Sequence, residues 1–260
     1  MNTPLAPVHF THLKLMARSP AHYRHAVGTP FEPTSTMLIG TLVHAYVLGS
    51  WKDIAVYDGT RRGKAWDDFK LEHAGKEIAT KFEDATAQAI AESVLRCPDA
   101  VDLLLGPSVR REHEFRFRIG ERECSVRLDS WQPFAVTELK TTHDANPATF
   151  HWHATRQGWL AQLAWQGDAL EAAGFVRPGA PRTHYIVAAE QRAPYVVQVY
   201  QLDETAVDFG RRCWRLWWER LMVCESSNVW PGYAQSIQPL SGPPGADDVS
   251  LIVDGESVEL

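Results

Sequence analysis

No stretch of this chain holds the ~20 consecutive apolar residues that a membrane-spanning helix needs. The opening "MNTPLAPVHF" lacks the basic region and apolar run of a secretory signal, and the expectation is a cytoplasmic protein without membrane contact. Cysteine is scarce: Cys97, Cys124, Cys213 and Cys224 are scattered with no C-x-x-C pair. That spacing speaks against a zinc ribbon or a compact iron–sulfur site and leaves reduced structural thiols, in keeping with a reducing compartment. "GTRRGK" lacks the G-x4-G-K-[ST] form of a phosphate-binding P-loop, and neither an internal repeat nor a low-complexity block is present. An excess of positive charge is missing too, since the formal net charge is −6. Net charge does not exclude nucleic acid, because binding depends on where the cations lie. Basic residues cluster in "TRRGK", "VRREHEFRFR" and "GRRCWRLWWER", and acids gathered at a metal site would lower the total.

What is present suffices for a core: 260 residues, 45% of them hydrophobic. Turn formers in "SPAHYRHAVGTPFEPTST" separate a short leading helix from a second one, Ser35 to about Leu48, capped by Thr34 or Ser35. A short strand is expected at 51–57. Helices follow at about 64–74 and 81–96, with Pro98 ending the latter. The texture then changes to period-two alternation in "EHEFRFRI", "ECSVRLDSW" and "AVTELK", a three-strand meander. A helix over about 155–173, closed by Gly174, precedes two strands, "RTHYIVAAE" and "YVVQVYQL", and a long helix. In that last helix Trp214, Trp217, Trp218 and Leu221 read as core or subunit interface. The order implies an α/β fold with a central mixed sheet flanked by helices. Residues 1–240 are expected to form one domain and 241–260 a loosely ordered tail.

The meander carries charges where buried strand is expected. In "VRLDSWQPFAVTELKTT", Glu138 and Lys140 share a strand face and Leu139 points the other way. A turn at Pro133-Phe134 brings Asp129 opposite Glu138. Two close carboxylates repel unless one protonates or a cation lies between them. A few hard oxygen ligands suit Mg²⁺, which can activate water and stabilise charge on a phosphoryl oxygen. Lys140 beside it could position that water or steady developing charge. His44 lies on a helical stripe with Met37, Gly40 and Val47, and Gly40 leaves room for a close approach. His143, His151 and His153 show no spacing that matches a known zinc site.

An acid on one strand followed by E-x-K on the next resembles the PD-(D/E)XK nuclease superfamily, here as "RLD" and "ELK" with Leu128 in place of the usual proline. "TMLIGTLVHAYVLG" is similar to the G-x-x-x-H helix of the RecB and RecE branch. The segment from "YDGTRRGK" to "DAVDLL", the helix "RQGWLAQLAWQGDAL", "APYVVQVYQL" and "VWPGY" resemble RecE-type (exonuclease VIII-like) phage exonucleases in matching order, from about Phe10 to Gln235. The resemblance implies Asp129, Glu138, His44 and the main-chain carbonyl of Leu139 as metal ligands and Lys140 as the catalytic lysine. It implies Gln162 as the glutamine that holds the active site or the DNA end. The additional acid corresponds to Glu112 or Glu114, with Glu112 favoured. Trp159 and Trp165 stand where tyrosines are usual and are left out of the catalytic set. The loop residues Arg61, Arg62 and Lys64 could hold DNA phosphates. The implied activity is Mg²⁺-dependent resection of linear double-stranded DNA from 5′ ends, with Mn²⁺ able to substitute. The implied assembly is a ring, a tetramer favoured over a trimer, working with a RecT-type single-strand annealing protein of a phage or prophage recombination system. An endonuclease, a single-strand nuclease, or a non-catalytic DNA-binding module on the same fold are the alternatives.

Overall fold

A computed structural model describes residues 5–30, 33–49, 54–233, 236–240, 250–253 and 256–259. The chain begins with β1 (Val8–His9), α1 (Phe10–Leu13), a 3-10 turn (Lys14–Ala17) and α2 (Pro20–Val27). α3 (Ser35–Leu48), β2 (Ile54–Tyr57), α4 (Lys64–Glu72), β3 (Glu77–Thr80), α5 (Lys81–Leu95) and α6 (Pro98–Leu105) follow. The meander is β4 (Arg110–Ile119), β5 (Arg122–Gln132) and β6 (Ala135–Thr142). Then come α7 (Phe150–Gln157), α8 (Trp159–Ala172), β7 (Thr183–Glu190), β8 (Val197–Leu202) and α9 (Glu204–Ser227). β9 (Ser250–Val253) and β10 (Glu256–Glu259) pair as an antiparallel hairpin. Of the tail expected to be loose, residues 241–249 lie outside the described residues, as do 51–53 of the expected strand at 51–57.

A six-stranded mixed sheet forms the centre: β1, β5, β6, β7 and β8 in order, with β4 also on β5. β6 and β7 run parallel from Ala135↔Thr183 to Thr142↔Glu190, and β7 and β8 run antiparallel. Each face of the sheet has its own core, as expected for a sheet buried on both sides. One core gathers Phe10, Leu128, Val136, Leu163, Trp165, Ile186, Trp214 and Leu221 beneath α8 and α9. The other gathers Leu42, Val43, Ile90, Leu139 and Val187 beneath α3, α5 and α6. The alternation of β6 divides accordingly, with Val136 on the α8 side and Leu139 on the α3 side.

Three local expectations are corrected. The turn-rich stretch after the leading helix holds α2, because Pro20 sits at its start and the Ser19 hydroxyl accepts from His22 N–H. Pro98, expected only to end α5, which closes at Leu95, also opens α6. The helix expected over 155–173 is two helices. Gly158, with φ +76°, caps α7 in the left-handed conformation and opens α8 in a new direction.

Candidate active site

The site lies where the pairing of β5 is interrupted. On one edge of β5, Cys124 and Ser125 pair with β1, and Ser130, Trp131 and Gln132 pair with β6 across the Pro133-Phe134 turn. Residues 126–129 between them carry no ladder partner on that edge, so the sheet forks as β6 departs. Asp129 sits in the fork and its Oδ2 accepts the N–H of Leu139 at 2.8 Å. A side chain thereby satisfies a buried backbone donor that the ladder leaves free.

On the other edge of β5, the register with β4 passes from Arg111↔Ser130 to His113↔Leu128 and omits the Glu112–Asp129 pair. Glu112 has φ +47°, a left-handed conformation that costs a non-glycine residue on the order of 1–3 kcal/mol. Its carboxylate enters the fork. His44, near the C-terminal end of α3, completes the group: Nδ1 lies 3.5 Å from Asp129 Oδ1 and 3.9 Å from Glu112 Oε1. The other ring nitrogen, Nε2, is 3.0 Å from the carbonyl oxygen of Leu139. Gly40, one turn before His44, lets α3 close onto β6, since a Cβ there would lie 3.2 Å from Thr141 Oγ1.

His44, Glu112 and Asp129 each offer one ligand atom, and these atoms lie within 4.8 Å of one another. Glu112 Oε1 is buried without a hydrogen-bond partner, a costly state that a cation would relieve. Two carboxylates, one imidazole and a nearby carbonyl suit a divalent ion such as Mg²⁺ or Mn²⁺. The residues present therefore fit a metal. Among the described residues His143, His151 and His153 assemble no comparable group.

Glu138 and Lys140 face the α8 side and form an adjoining cluster. Lys140 Nζ lies 2.5 Å from Glu138 Oε2, and Gln162 Nε2 donates to the same oxygen at 2.8 Å. Gln166 Nε2 donates to Glu138 Oε1, so both oxygens of this buried carboxylate are occupied by protein donors. Burial raises the pKa of Glu138, helped by the charge of Asp129 and opposed by Lys140 and the amide. Burial lowers that of Lys140, but the carboxylates of Glu138 and Asp129 outweigh it and the net direction is upward. For His44, too, burial is the largest influence and lowers the pKa, yet Asp129 and Glu112 together leave it raised.

Both clusters border one cleft of about 610 Å³ whose walls include Met37, Thr41, His44, Arg127, Lys140 and Trp159. A larger cleft, about 780 Å³, lies between α8 and α9 around Asp168 and Arg211, away from these carboxylates. Of the residues expected from sequence, the structure gathers His44, Glu112, Asp129 and the Leu139 carbonyl at the fork. It gathers Glu138, Lys140 and Gln162 beside them; Glu138, expected as a metal ligand opposite Asp129, stands outside the three-residue group, with both its oxygens held by Lys140, Gln162 and Gln166. Glu114 is exposed on β4. Arg61 is corrected: its guanidinium is held by both oxygens of Glu83, at 2.6 and 3.0 Å, and by the Ile78 carbonyl at 2.9 Å. Glu83 is also the N3 residue of the capping box that Thr80 begins for α5, so Arg61 pins its loop to a helix start. Arg62 and Lys64 are exposed, and none of the three basic residues lines the cleft.

Two residues were not anticipated. Gln166 follows Gln162 by one helical turn, a spacing that places both amides on one face of α8. Arg127, whose Nε is 3.0 Å from Glu112 Oε2, stands two residues before Asp129 and lines the cleft. Trp165 belongs to the core instead, 1% exposed and packed on Trp214.

A family model described as a PDDEXK-like domain of unknown function (DUF3799) matches residues 9–242. Among solved structures, a protein of Eubacterium rectale provisionally assigned as an exonuclease aligns with a TM-score of 0.61 and 14% identity, over 91% of this chain and 90% of its own. At that identity the likeness shows the fold alone. The protein SSO0001 aligns over 74% of this chain and 88% of its own at 15% identity, with a TM-score of 0.29 that carries no argument. No curated protein matches the sequence. The family match spans the central sheet from His9 onward and both carboxylate clusters, and the chain belongs to this PDDEXK-like family of the PD-(D/E)XK superfamily.

Proposed function

We propose that the protein is a divalent-metal-dependent deoxyribonuclease, and within that class a RecE-type exonuclease that resects linear double-stranded DNA from 5′ ends. The observation that carries the reading is the juxtaposition at the fork: two acids and a histidine, with one buried Glu112 oxygen left unpaired, against a strand whose next face presents a lysine. His44, Glu112, Asp129 and the Leu139 carbonyl would hold the ion, Mg²⁺ by preference with Mn²⁺ able to substitute. Such an ion supplies an activated water and offsets charge on the scissile phosphate. Lys140 holds an ammonium at the cleft, placed by Glu138, where it orients the attacking water or steadies the developing charge. Gln162 and Gln166 fix the Glu138 rotamer and so the lysine. Arg127 can share its guanidinium between Glu112 and a DNA phosphate. Arg62 and Lys64 remain available for phosphates further out.

In-line attack on the phosphodiester would leave 5′-phosphate mononucleotides and a 3′ single strand. The RecE resemblance supports a single domain over 1–240, cytoplasmic action in a phage or prophage recombination system, a ring assembly favouring a tetramer, and a RecT-type annealing partner. The test is degradation of linear duplex DNA labelled at the 5′ or the 3′ end, beside a covalently closed circle, in Mg²⁺ or EDTA, with Lys140→Ala in parallel. Early release of 5′ label as mononucleotide, an intact circle and an inactive but folded Lys140→Ala variant are the expected results. A nicked or linearised circle would make it an endonuclease. Binding of DNA without cleavage in any divalent metal would make it an inert module.

A further inference from the structure

β1 ends at His9, paired with Ser125 immediately before the stretch of β5 that lacks a ladder partner, so the chain enters α1 and the 3-10 turn beside the fork. Leu13 and Met16, both 0% exposed, anchor that turn in the core, and Arg220 of α9 donates to the Met16 carbonyl at 3.0 Å. Lys14, between them, stands on a fixed backbone. Its stem runs along Gly158, where a Cβ would lie 4.0 Å from both Cβ and Cδ of the lysine. Gly158 precedes Trp159, and Trp159 and Lys140 are both walls of the metal cleft. Lys14 is partly buried and has no hydrogen-bond or ion-pair partner among the described residues. Burial, and then the charge of Lys140, hold its pKa below the ordinary lysine value. Lys140 has Glu138 to offset its own charge, whereas Lys14 has no carboxylate. An ammonium withdrawn from water without an anion is costly, and the anion that Lys14 lacks must come from outside the chain.

We infer that Lys14 is a substrate-binding residue, its ammonium holding the DNA phosphate next to the one at Lys140. The inference rests on the nuclease reading and names a residue that the family pattern did not supply. A nucleic-acid strand carries one negative charge per nucleotide. A strand laid along the cleft therefore brings one phosphate to Lys140 and the next to Lys14, and the two anions remove the repulsion between the two ammonium groups. The packed stem fixes the direction of the head, so little side-chain freedom is lost when the phosphate arrives. Because the contact lies one phosphate away from the reacting bond, it is the same before and during the reaction and belongs to binding rather than to the chemical step. The competing account is a lysine that covers apolar surface with its stem and leaves its head in water. The two accounts differ in what removal of the charge alone would do.

The test compares wild type, Lys14→Met and Lys14→Arg for binding of duplex DNA in Ca²⁺, with the DNA verified intact, across ~50–200 mM salt. Lys14→Met keeps an unbranched stem against Gly158 and removes the charge. It should bind roughly tenfold more weakly, and the slope of log K against log salt should become shallower by about one. In Mg²⁺ its KM for linear duplex should rise by a similar factor, with kcat within about twofold of wild type. Its melting temperature should equal or exceed that of wild type, because a partly buried, unpartnered charge has been removed. Lys14→Arg should keep the wild-type slope. Wild-type affinity and slope in Lys14→Met, in a protein that still binds and cuts DNA, would overturn the inference and leave the nuclease reading standing. A wild type that neither binds nor cuts DNA would overturn both. A slope as shallow for Lys14→Arg as for Lys14→Met, a fall in kcat at unchanged KM, or a melting temperature of Lys14→Met below wild type would each overturn the assignment of Lys14 to phosphate binding.

Discussion

Replacing Gly210 with alanine asks how closely α9 is keyed to the helix that carries Gln162 and Gln166. A Cβ at this position would lie 2.3 Å from the carbonyl oxygen of Leu160 and 2.9 Å from the nitrogen of Ala161. Both are backbone atoms in the first turn of α8, so no side-chain rotation relieves the clash, and the helices must part by roughly 1 Å to reach ordinary contact distance. On an unpacked helix the same change would stabilise by about 1 kcal/mol, alanine being the better helix former. Overpacking of a core costs about 1–3 kcal/mol, and a backbone clash belongs at the upper end. The net effect should be a loss of about 2 kcal/mol, which for a chain of this size lowers Tm by roughly 4–8 °C. Calorimetry would read it directly. The consequence for the site should be larger than for the fold. The amides of Gln162 and Gln166 ride on α8 and hold Glu138, and a misplacement of about 1 Å can cost 10²-fold in rate. Cleavage by Gly210→Ala at 25 °C, where the variant is still folded, should therefore fall well below wild type. A melting temperature equal to or above wild type would refute the close approach and with it the coupling between α9 and the site.

Glu112→Gln should lower Mg²⁺-dependent cleavage by at least about tenfold, while Glu114→Gln, on the exposed side of β4, should cleave like wild type; the opposite ranking would put the wrong acid at the fork. His44→Ala should shift the Mg²⁺ titration to higher concentration by roughly tenfold or more, and a titration superimposable on wild type would return His44 to a purely structural place between α3 and β6. His184 gives a pH dependence of stability. Burial, then the charges of Arg182 and Arg211, push its pKa down to about 4, against an unfolded value near 6.5. The unfolded chain binds more protons between those values, so stability present above pH 6.5 is lost as the pH falls toward 4, by about 3 kcal/mol. His184→Gln should flatten the decline of Tm between pH 6.5 and 4.5, and an unchanged slope would remove His184 as its source.

The hairpin was legible because period-two alternation and a Pro-Phe turn determine which residues share a face, which put Glu138 and Lys140 together but wrongly grouped Glu138 with the acids at the fork. Glu112 and Glu114 could not be told apart by the same rule, because alternation presumes regular backbone and Glu112 departs from it with φ +47°. Arg61 read as a phosphate ligand because its partner, Glu83, is a helix-start residue far along the chain, visible only once the loop and α5 meet. Trp165 was weighed as the second aromatic position of the helix motif, whereas Gln166, one residue and about 100° further round the helix, faces the site. Pro20 and Pro98 read as breakers although the first helical turn tolerates proline. What the sequence could not show is the division of labour among the acids, which follows from the fork. Because β6 leaves β5 after Ser130, Asp129 turns to the Leu139 amide and toward His44, with Glu112 brought in from the other edge. Glu138, left on the α8 face of β6, has its oxygens taken by Lys140, Gln162 and Gln166. The group that fits an ion and the group that places the lysine are thus separated by a single break in a strand ladder.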